Sequence, residues 1–230
     1  MGGRPSKPRT SARRQATKTL PTIFDTAYGD LYDLGVQART LAALAGLLLW
    51  GADVPRMYRE MAEALACRKG EVVLDVPTGG GVTFAAGAPD SRGMIVAADL
   101  SRRMLLRAAE RSRSAGLQRR VRLLQADVTR LPLAGASVDR VLCFNGLHCI
   151  GDQAAVLKEL RRVLKPGGRL VGTTLVRDAP PPWGWSVRLS RLAGFFQPPA
   201  RARLARQARA AGFRRWRSEL VGALLHFRAE

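Results

Sequence analysis

From Val72 onward, large hydrophobic side chains gather in short runs at Val72–Val76, Met94–Ala98, Val121–Gln125, Val138–Phe144 and Arg169–Leu175. Between these runs, at 82–88, 101–115 and 153–164, apolar residues return every three or four positions. Apolar runs of this length predict strands buried on both faces, and amphipathic helices between them make the strands parallel. Upstream, from Thr22 to Leu65, the spacing is helical through Leu31, Leu34, Leu41, Leu44 and Leu48, and Asp53-Val-Pro55 starts a further helix. Downstream, a helix over Leu204–Ala211 stops at Gly212, and Phe213–Leu220 and Val221–Arg228 follow as two strands around a turn. The pattern predicts an α/β fold: a seven-stranded, mostly parallel sheet with an antiparallel C-terminal hairpin and helices on both faces.

Composition adjusts this picture little. The 230 residues are 47% hydrophobic and 24% charged, which suits one globular domain over 21–230. Residues 1–20 carry six basic and no acidic side chains and predict a disordered basic tail. The longest apolar run, LAALAGLLLW at 41–50, is about half of what a membrane span needs. Cys67, Cys143 and Cys149 show no paired spacing, so neither a disulfide framework nor a zinc site is expected, and a reducing cytoplasmic setting is the simplest reading. The net charge of +20 would suit nucleic acid. Most of the excess is arginine in a chain rich in alanine and glycine, the bias of a GC-rich genome, which weakens that inference.

The chemistry centres on VVLDVPTGGG, 72–81, where the first strand turns into the first helix. Ligands of open parallel sheets bind there, and glycines let the backbone come close. The spacing is neither GxGxxG nor GxxxxGK[ST], so the loop is not a phosphate cradle. Asp75 at its mouth would repel a pyrophosphate and suit an ammonium group. Asp99, closing the second strand in IVAADLS, stands where a carboxylate reads a ribose diol, and Asp127, in LLQADVTRLP, is placed to accept from an exocyclic amine. A lone aspartate at such a place is commonly a helix cap or loop residue. Three closing successive strands describe an amino acid, a ribose and an adenine in line: S-adenosylmethionine.

These motifs resemble those of the class I S-adenosylmethionine-dependent methyltransferases, with VLDVPTGGG, AADLSRRML, QADVTRLP, VDRVLCFNGLHCIGD and LKPGGRL in family order. The resemblance implies a Rossmann-like fold. It also implies that Asp75, Pro77, Gly79 and Gly81 line the methionine portion of the cofactor, Asp99 the ribose, and Asp127 with Val128 the adenine. Leu100 and Met104 would pack on the base, and Asn145 of the fourth motif joins the set. Pro77 stands where the family has a glycine, and its fixed φ predicts a locally different turn. IFDTAYGDLYDLGVQ, 23–37, is similar to the N-terminal segment of ubiquinone and menaquinone biosynthesis C-methyltransferases, through Phe24, Asp25, Tyr32 and Asp33. That likeness implies an N-terminal helical lid, 21–66, with Tyr28 and Tyr32 at the substrate.

Methyl transfer needs alignment and sometimes removal of a proton, and no metal-ligand cluster is apparent. His148, past the fourth strand, is the candidate general base. The proline-bounded insertion 177–200 carries Trp183, Trp185, Phe195 and Phe196 in an amphipathic helix with Arg188 and Arg191. It suits a roof over an apolar acceptor pocket, contact with a membrane surface, or a dimer contact. The reading is methyl transfer to a small, apolar or aromatic acceptor resembling a quinone, polyketide or lipid. RNA methylation is the second class, but base-amino methylation needs [DNS]PP[YFW] after the fourth strand, which reads CFNGLHC here, and no Pro-Cys nucleophile occurs. A cofactor-binding enzyme that does not methylate is the third.

Overall fold

The structure, a computed structural model, describes residues 39–87, 91–192, 194 and 196–230. Tyr28, Tyr32 and the rest of the segment before Arg39, together with Phe195, lie outside the described residues. Helices α1 (Arg39–Trp50) and α2 (Val54–Leu65) precede strand β1 (Val72–Asp75). Alternation follows: α3 (Val82–Ala86), β2 (Met94–Asp99), α4 (Arg102–Ser114), β3 (Val121–Gln125), β4 (Val138–Phe144), α5 (Gln153–Val163) and β5 (Leu164–Leu175). The chain closes with α6 (Trp183–Leu192), α7 (Arg201–Ala210), β6 (Trp216–Val221) and β7 (Leu224–Ala229).

The strands make one seven-stranded sheet in the order β3-β2-β1-β4-β5-β7-β6. Strands β1 to β5 pair in parallel, and β7 runs antiparallel to both β5 and β6. The chain steps from β1 out to β3, then crosses back to lay β4 on the other side of β1. That reversal opens a crevice at the carboxyl ends of β1 and β4, where this kind of sheet takes its ligand.

Successive strand residues feed opposite cores, as the pleat requires. Val73, Leu142 and Phe144 pack with Met61, Leu65 and Phe84 under α2 and α3. Leu74, Val141 and Cys143 pack with Leu157, Leu160 and Leu204 under α5 and α7. The helices start at side-chain caps: Asp53 accepts from the Arg56 N–H, Ser101 from Met104 and Asp152 from Ala155.

Several boundaries differ from those expected. The break upstream of β1, at Gly51–Asp53, is the one that Asp53-Val-Pro55 predicts, and the differences lie elsewhere. α2 belongs to the packed layer rather than to a cover, with Met61 and Leu65 buried in the core. The hairpin turns at Gly222-Ala223, because the Ala223 N–H bonds to Trp50 O and fixes the turn against the end of α1. β5 begins five residues early, at Leu164, where it pairs with Val138.

Candidate functional site

At the end of β1 the chain turns sharply and is fastened to both neighbouring strands. The Val76 N–H donates to Leu142 O on β4, and the Thr78 N–H to Ala98 O on β2, each at 2.9 Å. Asp99 completes the fastening. Its Oδ2 accepts from the Gly79 N–H at 2.8 Å and its Oδ1 from the Ser101 N–H at 2.9 Å. Bonds of this kind to a charged acceptor are worth about 1.5–3 kcal/mol each. Arg111 reaches from α4 to the carbonyl of Gly80 at 2.7 Å.

Two glycines carry the turn. Gly79 has φ +53° and Gly81 φ +79°, both in the left-handed region. A Cβ on Gly81 would sit 2.9 Å from the Cα of Ala108, so this glycine also lets α3 and α4 approach. Among the described residues, nothing lies within 4 Å of where a Cβ on Gly79 would stand, so this face of the loop is open. An open, side-chain-free face beside the Asp99 carboxylate is a cradle for an uncharged or cationic group.

Asp75 is almost wholly buried, and its Oδ2 accepts from Thr83 Oγ1 at 2.6 Å and Thr78 Oγ1 at 2.7 Å. Burial pushes its carboxyl up to about 6; the two threonine hydroxyls oppose this and the charge of Asp99 adds to it. The charge of Asp99 is felt at Asp75, and a positively charged ligand at this end of the crevice would ease that repulsion.

Pro77 occupies the turn with a cis peptide bond to Val76. Its ring lies against Gly146, where any side chain would collide with it. The proline in the turn is therefore matched by a glycine after β4, a pairing invisible in either motif alone.

Along the crevice, Asp127 Oδ1 accepts from both the N–H and the Oγ1 of Thr129 at 2.8 Å, a local turn that fixes its carboxylate past β3. Val128 is buried beneath it. Met104 is buried on α4, whereas Leu100 is 37% exposed at the rim. Asn145, with φ +54°, follows β4; its Oδ1 accepts from Thr173 Oγ1 at 3.0 Å and its Nδ2 contacts Met57 Sδ at 3.4 Å. Through that contact α2 reaches the crevice, which helical periodicity alone did not signal.

His148 does not fit the role of general base. It sits on a short 3₁₀ turn, Leu147–Cys149, almost fully buried. Its Nδ1 accepts from the Leu175 N–H at 3.2 Å, beside the Thr174 hydroxyl at the same distance, and its ring meets Phe196 edge to face. Burial pushes its pKa down to about 3, so the ring stays neutral and binds protons poorly near neutrality. It ties the turn after β4 to the end of β5.

The insertion forms α6, packed on α1. The Trp183 indole covers Gly51, and Ser186 Oγ donates to Leu49 O. Trp185 points outward, 66% exposed, and Phe196 is taken up in the core. Among the described residues, the expected aromatic roof therefore divides: Trp183 and Phe196 pack inward while Trp185 faces out. Also among the described residues, no three metal-ligating side chains converge, and no helix is long and apolar enough to cross a membrane.

The sequence-derived cofactor set (Asp75, Pro77, Gly79, Gly81, Asp99, Leu100, Met104, Asp127, Val128 and Asn145) is thus distributed over the carboxyl ends of β1 to β4 and the adjoining start of α4. Missing from that set were Thr78, Thr83, Gly146 and Arg111, which hold the acids and the loop.

A family model described as a methyltransferase domain matches residues 73–168. A demethylmenaquinone methyltransferase of Mycobacterium sp. (strain JLS) is 38% identical over 152 residues, covering 66% of this chain and 57% of the relative. The chain spans about half the length of the curated relatives it matches, 44% and 57% for two of them. Among solved structures, a SAM-dependent methyltransferase from Aquifex aeolicus superposes with TM-score 0.59 at 25% identity, covering 80% of this chain and 92% of that one. The [4+2]-cyclase SpnF superposes with TM-score 0.62 at 25% identity, covering 74% of this chain and 62% of its own. Residues 73–168 thus carry the match to a methyltransferase domain, and they hold the crevice between β1 and β4.

Proposed function

We propose that the protein transfers a methyl group from S-adenosylmethionine to a small apolar or aromatic acceptor of quinone, polyketide or lipid type. The observation that carries this is the open glycine turn set between Asp75 and Asp99 at the strand crossover. The demethylmenaquinone methyltransferase name among the relatives favours a quinone-like acceptor.

In this reading Asp75, Gly79 and Gly81 hold the methionine end, Asp99 takes the ribose hydroxyls on lone pairs its backbone donors leave over, and Asp127, Val128, Leu100 and Met104 receive the adenine. The bound cofactor supplies an electrophilic methyl on a cationic sulfur. What the chain contributes is alignment and exclusion of water, with Asn145 and Met57 bordering the reacting end. His148 orders the turn after β4 and takes no proton. The sequence of residues 1–20 is basic, and Tyr28 and Tyr32 of the segment before Arg39 remain acceptor-side candidates. Trp185, Leu189 and Leu192, exposed on α6 beside Arg188 and Arg191, suit contact with a membrane that holds such an acceptor. Three unpaired thiols suit the cytoplasm.

The test is incubation with methyl-labelled cofactor and a panel of demethylated naphthoquinols, polyketide lactones and RNA. Label in the organic extract supports the proposal, and label in RNA, or in nothing although cofactor binds, contradicts it. The second reading, a cofactor-binding enzyme that does not methylate, is favoured by the likeness to the [4+2]-cyclase and by the lack of basicity at His148.

A further inference from the structure

At the amino ends of β4 and β5, away from the crevice, the sheet face beneath α2 carries an array of like charges. Arg140 on β4 pairs in register with Arg169 on β5. One row further along, Val171 on β5 pairs with Arg228 on β7, which pairs in turn with Arg217 on β6. Strand residues two apart share a face, which adds Arg215 beside Arg217. These five arginines line a cavity of about 420 Å³, opposed by Glu60, Glu63 and Glu230.

Three glutamates face five arginines, so they offset the positive charge only in part. Glu60 is engaged by Arg56 and by His226, and Glu230 makes only a 3.8 Å ion pair with Arg215. Arg140 is used structurally, donating to the carbonyls of Ala64 and Ala66 at the end of α2. Arg169, Arg217 and Arg228 have no hydrogen-bond or ion-pair partner among the described residues. Like charges directly opposite each other across strands are destabilising. Three unpaired guanidiniums in one concave place therefore describe a site completed by an anion. Guanidinium forks match phosphate oxygens, and Arg169, Arg228 and Arg217 stand on three neighbouring strands spaced about 5 Å apart, a span wider than one phosphate group.

We infer that the arginine-lined cavity beneath α2 binds a small anion carrying two linked phosphate groups. The site is remote from the glycine turn, so it is an accessory site and not part of methyl transfer. Its test is independent of the proposed activity.

The experiment is calorimetric titration of the full chain with inorganic pyrophosphate, with orthophosphate and a single-stranded RNA 12-mer in parallel. Expected is saturable one-to-one binding of pyrophosphate, at least tenfold tighter than orthophosphate and weakened at least tenfold in the R217Q/R228Q variant. Both side chains are exposed and unpartnered, so the variant folds. Relief of the cross-strand repulsion should raise the ligand-free Tm of R217Q by about 1–3 °C at low salt. Heat that never saturates, affinity unchanged in the double variant, orthophosphate binding as tightly as pyrophosphate, or RNA binding tighter through the same arginines would each overturn the inference.

Discussion

In the proposed reading one side of the crevice takes the cofactor and the other the acceptor, and the two are built differently. On the cofactor side, Asp75, Thr78, Gly79, Thr83, Asp99 and Ser101 come from two short stretches and bond directly to one another. On the acceptor side, the contacts join distant segments: His148 with Leu175 and Phe196, Trp183 with Gly51, Ser186 with Leu49. The first half is a local device that a motif can encode. The second depends on how helices α1 and α6 settle on the sheet, and it leaves Leu48, Trp185, Leu189 and Leu192 facing outward. Segments on the second side can therefore be altered while touching few of the cradle's bonds.

The comparison is broken most forcefully at Asp99. Asp99→Ala removes the acceptor of two backbone N–H groups along with the proposed ribose contact. Affinity for S-adenosylhomocysteine should fall roughly 100-fold or more by calorimetry. A loss under threefold would mean that the carboxylate serves the loop only.

Asp75 comes next, because its effects on stability and binding have opposite signs. Its folded pKa of about 6 lies above that of the unfolded chain. The folded state therefore holds this proton more tightly, and the associated stability is full below the unfolded value near 4 and lost as pH rises through about 6. Asp75→Asn should stabilise the ligand-free protein at pH 7 by on the order of 2–3 kcal/mol and flatten its melting curve across that pH window. The same change should weaken the cationic cofactor tenfold or more. Wild-type affinity should likewise drop as pH falls below about 6, where Asp75 takes up its proton.

On the acceptor side the effects shrink and change in kind. His148→Phe leaves the Leu175 N–H without its acceptor and should cost about 1–3 kcal/mol in denaturant melts. The pH dependence of turnover should keep its shape, since burial holds the ring neutral. Disappearance of a limb near neutrality would restore the histidine as base. Smallest of all, Trp185→Ala should change stability by less than about 0.5 kcal/mol, because the ring is mostly in solvent. Its KM for an apolar acceptor should still rise if α6 borders the entrance.

The same division explains what could be seen in advance. Val72–Val76 and Val138–Phe144 announce strands because burial on both faces leaves no polar alternation, and the sheet order follows from short crossovers. Asp75 and Asp99 were legible because strand ends are where open sheets bind ligands. At His148 position and surroundings pull apart. Sequence places the ring after β4 but says nothing of Leu175 and Phe196, which arrive from 27 and 48 residues downstream and bury it. The Pro77–Gly146 contact was hidden for the same reason, since each residue is ordinary until the fold brings the two together. The arginine array was hidden too, for it depends on a register across four strands that no single stretch contains.

The most direct measurement of the central claim is calorimetric titration of the ligand-free chain at pH 7.5 with S-adenosylhomocysteine, alongside NAD. The account predicts saturable, one-to-one binding of the sulfur nucleoside that is lost in Asp99→Ala, with no heat from the dinucleotide. Saturable binding of NAD with none of S-adenosylhomocysteine would contradict it.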